Sequence, residues 1–300
     1  MDGILIIDKP AGLTSHDVVA WVRRTLKTKR VGHTGTLDPF ATGVMVILVG
    51  RATRLAQFLD KDEKEYEAVI EFGSETDTGD VMGVRTADCG LLNEEIADIV
   101  GRTNWDDIFS SFRGEIEQIP PMYSAKKIAG KKLYEHARKG NVVERESVQL
   151  VIKLLDLLQE PAIGDRSIGV RVVCSAGTYI RQLAEDFGRK IGIGAHLTGL
   201  RRTRAGRFSL AEAVTLDQLE DKEAPERELK PIELAIEHLQ SITLAADRVE
   251  KTRNGLSTRI SNTDFEDQAR VRMVDETGDL VAVGTFDQTE NVVVPKIVLV

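Results

Sequence analysis

Residues 32–43 hold three glycines, three threonines and one proline, a mixture too broken for a regular helix or strand. Apolar runs stand on either side of it. Residues 4–7 read Ile-Leu-Ile-Ile and stop at Asp8-Lys9-Pro10, and residues 44–49 read Val-Met-Val-Ile-Leu-Val. Each run is short enough for a buried strand and too short for a core helix. Between them, Thr14-x-x-Asp17 has the form of a capping box, and Val18, Val22 and Leu26 behind it recur on one side of a helix. The first fifty residues therefore predict strand, turn, helix, glycine-rich loop and strand, with the loop leaving a strand-rich core.

The rest of the chain keeps this mixed character. Residues 66–72 and 168–174 alternate or are rich in β-branched side chains, whereas Ile180, Leu183, Ala184 and Phe187 recur at helical spacing until Gly188 ends the pattern. Between Pro120-Pro121 and Val151 lies a basic, polar stretch, with a short helix suggested by Leu133-Tyr134-x-x-Ala137. It reads as an insertion that meets something outside the core. Residues 221–228 are almost wholly charged, contain Pro225 and suit a linker, so a domain boundary is expected there. Beyond it, apolar runs at 271–274, 280–283 and 292–294 are separated by turn residues, as in a small β-barrel. Three hundred residues exceed the usual single-domain size, which agrees with two units.

Composition narrows the setting. Apolar residues make up 42% of the chain, and none of their runs approaches the roughly 20 residues of a membrane span. No basic, cleavable leader precedes residues 4–7, so a soluble, cytoplasmic protein is expected. Cys89 and Cys174 lack metal-ligand spacing and read as reduced thiols. The formal charge is −8, which at first sight argues against a nucleic-acid partner. Distribution changes that reading. Residues 23–30 carry Arg23, Arg24, Lys27, Lys29 and Arg30 without an acid, and residues 201–207 carry Arg201, Arg202, Arg204 and Arg207 without one. Residues 126–139 add Lys126, Lys127, Lys131, Lys132, Arg138 and Lys139 against Glu135 alone. Acids collect at 60–67 and 217–233, so one basic face on an acidic protein is expected.

Within the glycine-rich segment, backbone amides are free to approach a ligand, threonine hydroxyls suit ribose or phosphate oxygens, and Pro39 holds Asp38 extended. The run Gly32-His33-Thr34-Gly35-Thr36-Leu37-Asp38-Pro39-x-Ala41-Thr42-Gly43 resembles the signature of the pseudouridine synthases that act on the T-loop of tRNA. Lys9-Pro10-x-Gly12-x-Thr14-Ser15 and Lys64-x-Tyr66-x-Ala68 resemble further motifs of that family. So do the thumb-like run from Pro120-Pro121-x-Tyr123-Ser124-Ala125-Lys126-Lys127 to Gly140, the run Cys174-Ser175-x-Gly177-Thr178-Tyr179-Ile180-Arg181, and Leu200-Arg201-Arg202. They occur in family order across residues 1–217.

The resemblance implies an α+β pseudouridine synthase fold: a mixed, largely antiparallel sheet flanked by helices, over residues 1–225, with a thumb at about 122–150. A small PUA-like RNA-binding barrel over 231–300 would follow. It casts Asp38 as the catalytic carboxylate, Arg181 as its ion-pair partner and Tyr66 as the ring stacked on the target uracil. His33 would fill the gap left by the extruded base, Tyr179 and Leu200 would line the pocket that receives it, and Lys9 and Pro10 would support the loop. Lys126, Lys127, Lys131, Lys132, Arg201 and Arg202 become candidate RNA contacts. Chemistry agrees with that casting, since a guanidinium stays protonated and can both orient a carboxylate and keep it ionised. Whether Asp38 adds to C6 of the base, adds to C1′ of the ribose or assists a glycal route is open at this point. Tyr66 has the alternative of acting as base at C5, for which a free tyrosine near pH 7 is poorly suited.

The histidines are scattered, with no His-x-x-x-His or Cys-x-x-Cys, and the isomerisation is redox-neutral, so no metal and no cofactor are expected. The implied partner is tRNA, at its T-arm and elbow, with no membrane, guide RNA or obligate protein partner and with a monomeric chain. Two rival readings stand beside this one: a tRNA-folding module with secondary catalysis, and a synthase acting on another RNA.

Overall fold

The computed structural model describes residues 1–299 apart from positions 125, 129, 138, 139, 142, 222, 262 and 263, and at 127, 128, 132 and 134 the backbone alone. The strand-rich core is a nine-stranded sheet. Its main path runs Gly3–Lys9, Thr42–Val49, Ala195–Ala205, Lys64–Phe72, Ser167–Cys174, Val148–Leu157 and Gly114–Gln118. Two short strands, Val31–Thr34 and Phe208–Ser209, pair beside that path. Within this sheet, among the described residues, the one parallel strand pair joins Thr42–Val49 to Ala195–Ala205, through Thr42 and Gly43 only, so the sheet is mixed and largely antiparallel.

Gly3–Lys9 lies antiparallel to Thr42–Val49, with Ile4 opposite Leu48 and Lys9 opposite Gly43. Successive side chains of a strand point to opposite faces. Leu5, Ile7, Met45, Ile47 and Val49 thus enter one core, and Ile4, Ile6, Val44, Val46 and Leu48 enter a second. Burial on both faces is why these strands read as unbroken apolar runs rather than alternating ones.

The first core is closed by two helices. Ser15–Thr25 has the predicted capping box between Thr14 and Asp17 and buries Val18, Val19 and Val22. Ile180–Ile191 buries Ile180, Leu183, Ala184 and Phe187. Phe72, Trp105, Phe109 and Phe187 link the second of these helices to the sheet in a chain of ring contacts at 5.2, 5.8 and 5.3 Å. Gly188 does not end the helix as expected. The helix runs three residues further and stops at Gly192, which takes the left-handed conformation (φ 81°). Gly188 answers a different need: a Cβ there would lie 2.2 Å from the Ala195 nitrogen, so glycine lets the following strand pass close by.

The charged run at 221–228 begins and ends beside the same strand. Val214 exchanges backbone hydrogen bonds with Ile6 and Asp8, and Lys230 does so with Ile4, which together cover part of the edge of Gly3–Lys9. The short 3-10 helix Ile232–Ala235 then packs into the second core, with Leu280, Val283 and Leu299. Beyond it a five-stranded curled sheet runs in the order Ser241–Thr243, Arg270–Val274, Leu280–Asp287, Val292–Val298 and Thr258–Arg259, beside the helix Ala246–Arg253. In the insertion, Lys127–Ile128 and Lys131–Lys132 pair as a hairpin that leads into the predicted short helix, Leu133–Ala137. Among the described residues no helix is long and apolar enough to cross a membrane.

Candidate active site

The glycine-rich segment is partly a strand. Val31–Thr34 pairs with residues 46–49, so the loop proper is 35–41. Thr42–Val49 has Gly3–Lys9 along one side. On its other side the neighbour changes from Val31–Thr34 to Ala195–Ala205, and the loop carrying Asp38 leaves the sheet at that change. Gly43 permits it: its φ is +104°, and a Cβ would fall 2.2 Å from the Arg202 carbonyl oxygen.

The backbone on both sides of Asp38 is pinned. Ser15 Oγ accepts from the Leu37 N–H at 2.9 Å and donates to the Leu37 carbonyl at 3.1 Å. On the other side Lys9 is fully buried, and its Nζ donates to the carbonyls of Pro10 and Leu13 at 2.8 Å and of Pro39 at 3.2 Å. Three ammonium protons meet three acceptors. Burial nevertheless pushes the Lys9 ammonium down to about 8, against the opposing pull of Asp38.

Arg181, the second residue of its helix and 5% exposed, supplies the partner to Asp38. Its Nε lies 2.9 Å from Oδ2 and its Nη2 3.3 Å from Oδ1. The same guanidinium donates from Nη1 to the Thr78 carbonyl at 2.7 Å and from Nη2 to the Tyr123 carbonyl at 2.8 Å, and Asp80 Oδ2 stands 3.7 Å from Nη1. A buried cation with this many acceptors has little freedom to turn. The Asp38 side chain keeps 31% of its surface exposed, enough for a substrate to reach. Burial raises the Asp38 carboxyl above the usual range. Arg181 opposes that rise, Asp80 adds to it, and Lys9 counters it. The ion pair is as anticipated, but desolvation outweighs it.

Tyr66 lies on Lys64–Phe72, opposite Val172 on one side and Arg202 on the other. It is half-buried, and burial raises its phenol, an effect that Arg202 opposes and the charge of Asp38 reinforces. A phenol raised in this way is still less ionised near neutral pH. Leu200 is buried on Ala195–Ala205 opposite Ala68. Tyr179 caps the helix that carries Arg181. Gln118 holds its backbone from both directions, the Tyr179 N–H donating to Oε1 at 3.0 Å and Nε2 donating to the Tyr179 carbonyl at 3.2 Å. His33 sits on the strand entering the loop, its ring edge-on to His16 with centroids 5.8 Å apart.

The RNA contacts expected at 201–207 need correction. Arg202 is 1% exposed, and its Nε and Nη2 donate to the carbonyls of Val44 and Gly35 at 2.7 and 3.0 Å. It braces the loop from beneath and is not available to a phosphate. Arg201 holds Asp8 through both carboxylate oxygens, at 2.7 and 3.2 Å, while keeping a partly exposed edge. Arg204 pairs with Glu63 and Glu65, and Arg207 with Glu237. In the insertion Lys126 and Lys131 are exposed, whereas the side chains of Lys127 and Lys132, and Arg138 and Lys139 altogether, lie outside the described residues. Thr78, Asp80 and Gln118 went unread in the sequence. Ser15 was read as the last residue of the Lys9-Pro10 motif, without the role its hydrogen bonds to Leu37 show.

An aspartate on a loop between sheet strands, held by an arginine from a neighbouring helix, belongs here to the pseudouridine synthase fold. The structure described as "Crystal Structure of a Cbf5-Nop10-Gar1 Complex" superposes with a TM-score of 0.70 and 28% identity, covering 99% of this chain and 85% of that one. That of an H/ACA RNP bound to a substrate RNA containing 2′-deoxyuridine gives 0.68 and 25%, with 99% and 85% covered.

The family described as TruB family pseudouridylate synthase (N terminal domain) matches residues 23–180, and the tRNA pseudouridylate synthase B C-terminal domain matches 181–239. Proteins named tRNA pseudouridine synthase B are similar over most of their length. That of Geobacillus thermodenitrificans is 44% identical, with 87% of this chain and 86% of the relative covered. Those of Solibacter usitatus and Bacillus subtilis are 42% and 40% identical, covering 95% and 94% of this chain and 95% and 92% of the relatives. The chain belongs to the TruB family of pseudouridylate synthases.

Proposed function

We propose that this chain converts the T-loop uridine of tRNA, position 55, to pseudouridine, with Asp38 as its catalytic carboxylate. The observation that carries the assignment is the Asp38–Arg181 pair, partly open to solvent on a loop braced by Lys9, Ser15 and Arg202. The reaction breaks the N1–C1′ bond, turns the uracil and forms a C5–C1′ bond, while the C5 hydrogen leaves as a proton and N1 gains one. A fixed anion beside the sugar–base junction serves the electrophilic carbon that bond cleavage creates.

The uridine must leave its stack to reach that anion. Tyr66 stacks on the extruded uracil, Tyr179 and Leu200 line its pocket, and His33 fills the vacated place. Lys126 and Lys131 on the inserted thumb meet the T-arm backbone. The enzyme acts as a single chain, without guide RNA, on the T-arm and elbow. The test is tritium release from C5-labelled tRNA by the purified chain alone. Wild type releases tritium, Asp38→Ala stays at background, and an isolated T-arm hairpin also serves as substrate. Release by Asp38→Ala at the wild-type rate would overturn the role of Asp38, and turnover confined to ribosomal RNA fragments would overturn the substrate.

A further inference from the structure

Three basic clusters stand out in the sequence, and the structure treats them differently. The one at 201–207 is largely engaged by protein groups: Arg201 by Asp8, Arg204 by Glu63 and Glu65, Arg207 by Glu237, and Arg202 by backbone carbonyls beneath the surface. The one at 23–30 is not. No carboxylate occurs anywhere between Asp17 and Asp38. Arg24, Lys27 and Lys29 are exposed, and among the described residues none of them forms an ion pair. With Arg23 and Thr28 they line a shallow recess at the end of the helix Ser15–Thr25.

Two details set this turn apart from an ordinary solvated helix end. Lys27 adopts the left-handed conformation (φ 48°), where glycine or asparagine is sterically cheaper, so a charged side chain is presented at a backbone cost of roughly 1–2 kcal/mol. The turn is also tied to the catalytic loop by a rigid spacer. The helix has Ser15 hydrogen-bonded to Leu37, next to Asp38, at its first residue, and the basic turn follows its last. Eleven residues at 1.5 Å each put the turn about 16 Å from that anchor. About five stacked nucleotides span such a length at 3.4 Å per residue of a strand.

We propose that Arg24, Lys27 and Lys29 form a second phosphate-binding face, which grips the tRNA backbone about five nucleotides from the base being isomerised. The inference rests on the tRNA reading above. It moves the phosphate contacts expected at 201–207 to the opposite end of the first helix. In a protein of net charge −8, an acid-free turn of this kind is where an RNA backbone finds uncompensated positive charge.

The test is the salt dependence of tRNA binding and turnover for wild type and for Lys27→Gln/Lys29→Gln. Each lost phosphate contact lowers the slope of log K against log salt by about 0.9 on a duplex and about 0.7 on a single strand. Two lost contacts make the slope shallower by about 1.4 to 1.8. Referred to 1 M salt, they weaken binding by roughly 15- to 30-fold at 0.15 M, and the loss appears in KM rather than kcat. Arg24→Gln/Lys29→Gln, which leaves the left-handed position alone, gives the same change if the face is real. Slopes equal to wild type in both variants overturn the proposal while leaving catalysis by Asp38 untouched. Wild type that binds tRNA and releases no tritium overturns the catalytic reading instead.

Discussion

Lys9→Met is the sharpest perturbation of the loop, because it keeps most of the unbranched side chain and removes the ammonium with its charge and its hydrogen-bond donors. The gap between an ordinary lysine at 10.5 and the value of about 8 here corresponds to roughly 3 kcal/mol disfavouring the buried ammonium at neutral pH. Methionine relieves that burden. It also strips donors from the carbonyls of Pro10 and Leu13, at about 1–3 kcal/mol each, while the Pro39 carbonyl keeps the Gly12 N–H at 2.8 Å. The terms nearly cancel, so the expected change in unfolding free energy runs from about zero to a loss of about 3 kcal/mol.

Activity should respond more clearly than stability. The Lys9 charge helps keep Asp38 ionised. Without it the Asp38 carboxyl rises further, and the acid limb of kcat/KM for tritium release moves to higher pH, with the largest deficit at the acid end. Stability gives a second signature. The folded value of Lys9 lies below its unfolded one, so its contribution is present above about 10.5 and is lost as pH falls through about 8. Wild type therefore gains up to about 3 kcal/mol relative to Lys9→Met between pH 8 and 10.5, readable by urea unfolding. An unshifted acid limb together with a constant stability difference across that window would refute the reasoning.

Other outcomes follow from the same geometry. For wild type, the burial that raises Asp38 places the acid limb of kcat/KM above 3.8, activity falling as pH drops through it; a limb below that value contradicts the raised carboxyl. Arg202→Met leaves two buried carbonyls without their donor, at about 1–3 kcal/mol each, and should lower stability in urea unfolding while leaving the salt slope of tRNA binding unchanged. A shallower slope would restore Arg202 as a phosphate contact. Gly43→Ala forces a Cβ against the Arg202 backbone at 2.2 Å and a strained φ of +104°, so a loss of at least about 2 kcal/mol and a large drop in kcat are expected. For Tyr66, stacking predicts that Phe retains far more tritium release than Leu; equal loss in both would favour the hydroxyl as the working group.

Local features were legible in the sequence because they follow from local rules. The capping box of Thr14 and Asp17 and the apolar stripe of the helix at 180 were readable from spacing alone. The strands at 4–7 and 44–49 were equally plain, but not the division of their side chains between two cores, which depends on what covers each face. Distance in the chain hid the rest. Thr78 and Asp80 approach Arg181 only because Gly79 and Leu197 are joined by a backbone hydrogen bond between segments more than a hundred residues apart. Arg201 and Arg202 look alike in sequence. Their positions on one strand point them to opposite faces, one toward Asp8 at the surface and one beneath the loop.

The alternation along residues 4–7 and 44–49 has a consequence for the modularity of the enzyme. Ile4, Ile6, Val44, Val46 and Leu48 share one interior with Ile232, Ala235 and Ile236 and with Leu280, Val283 and Leu299, so the catalytic sheet and the C-terminal unit have an apolar core in common. A protein cut after residue 239 would lose Leu280, Val283 and Leu299 from that interior and uncover the apolar side chains packed against them. Shortening or exchanging the tail thus requires rewriting the uncovered part of that interior with polar residues, since the two units have become a single inheritance.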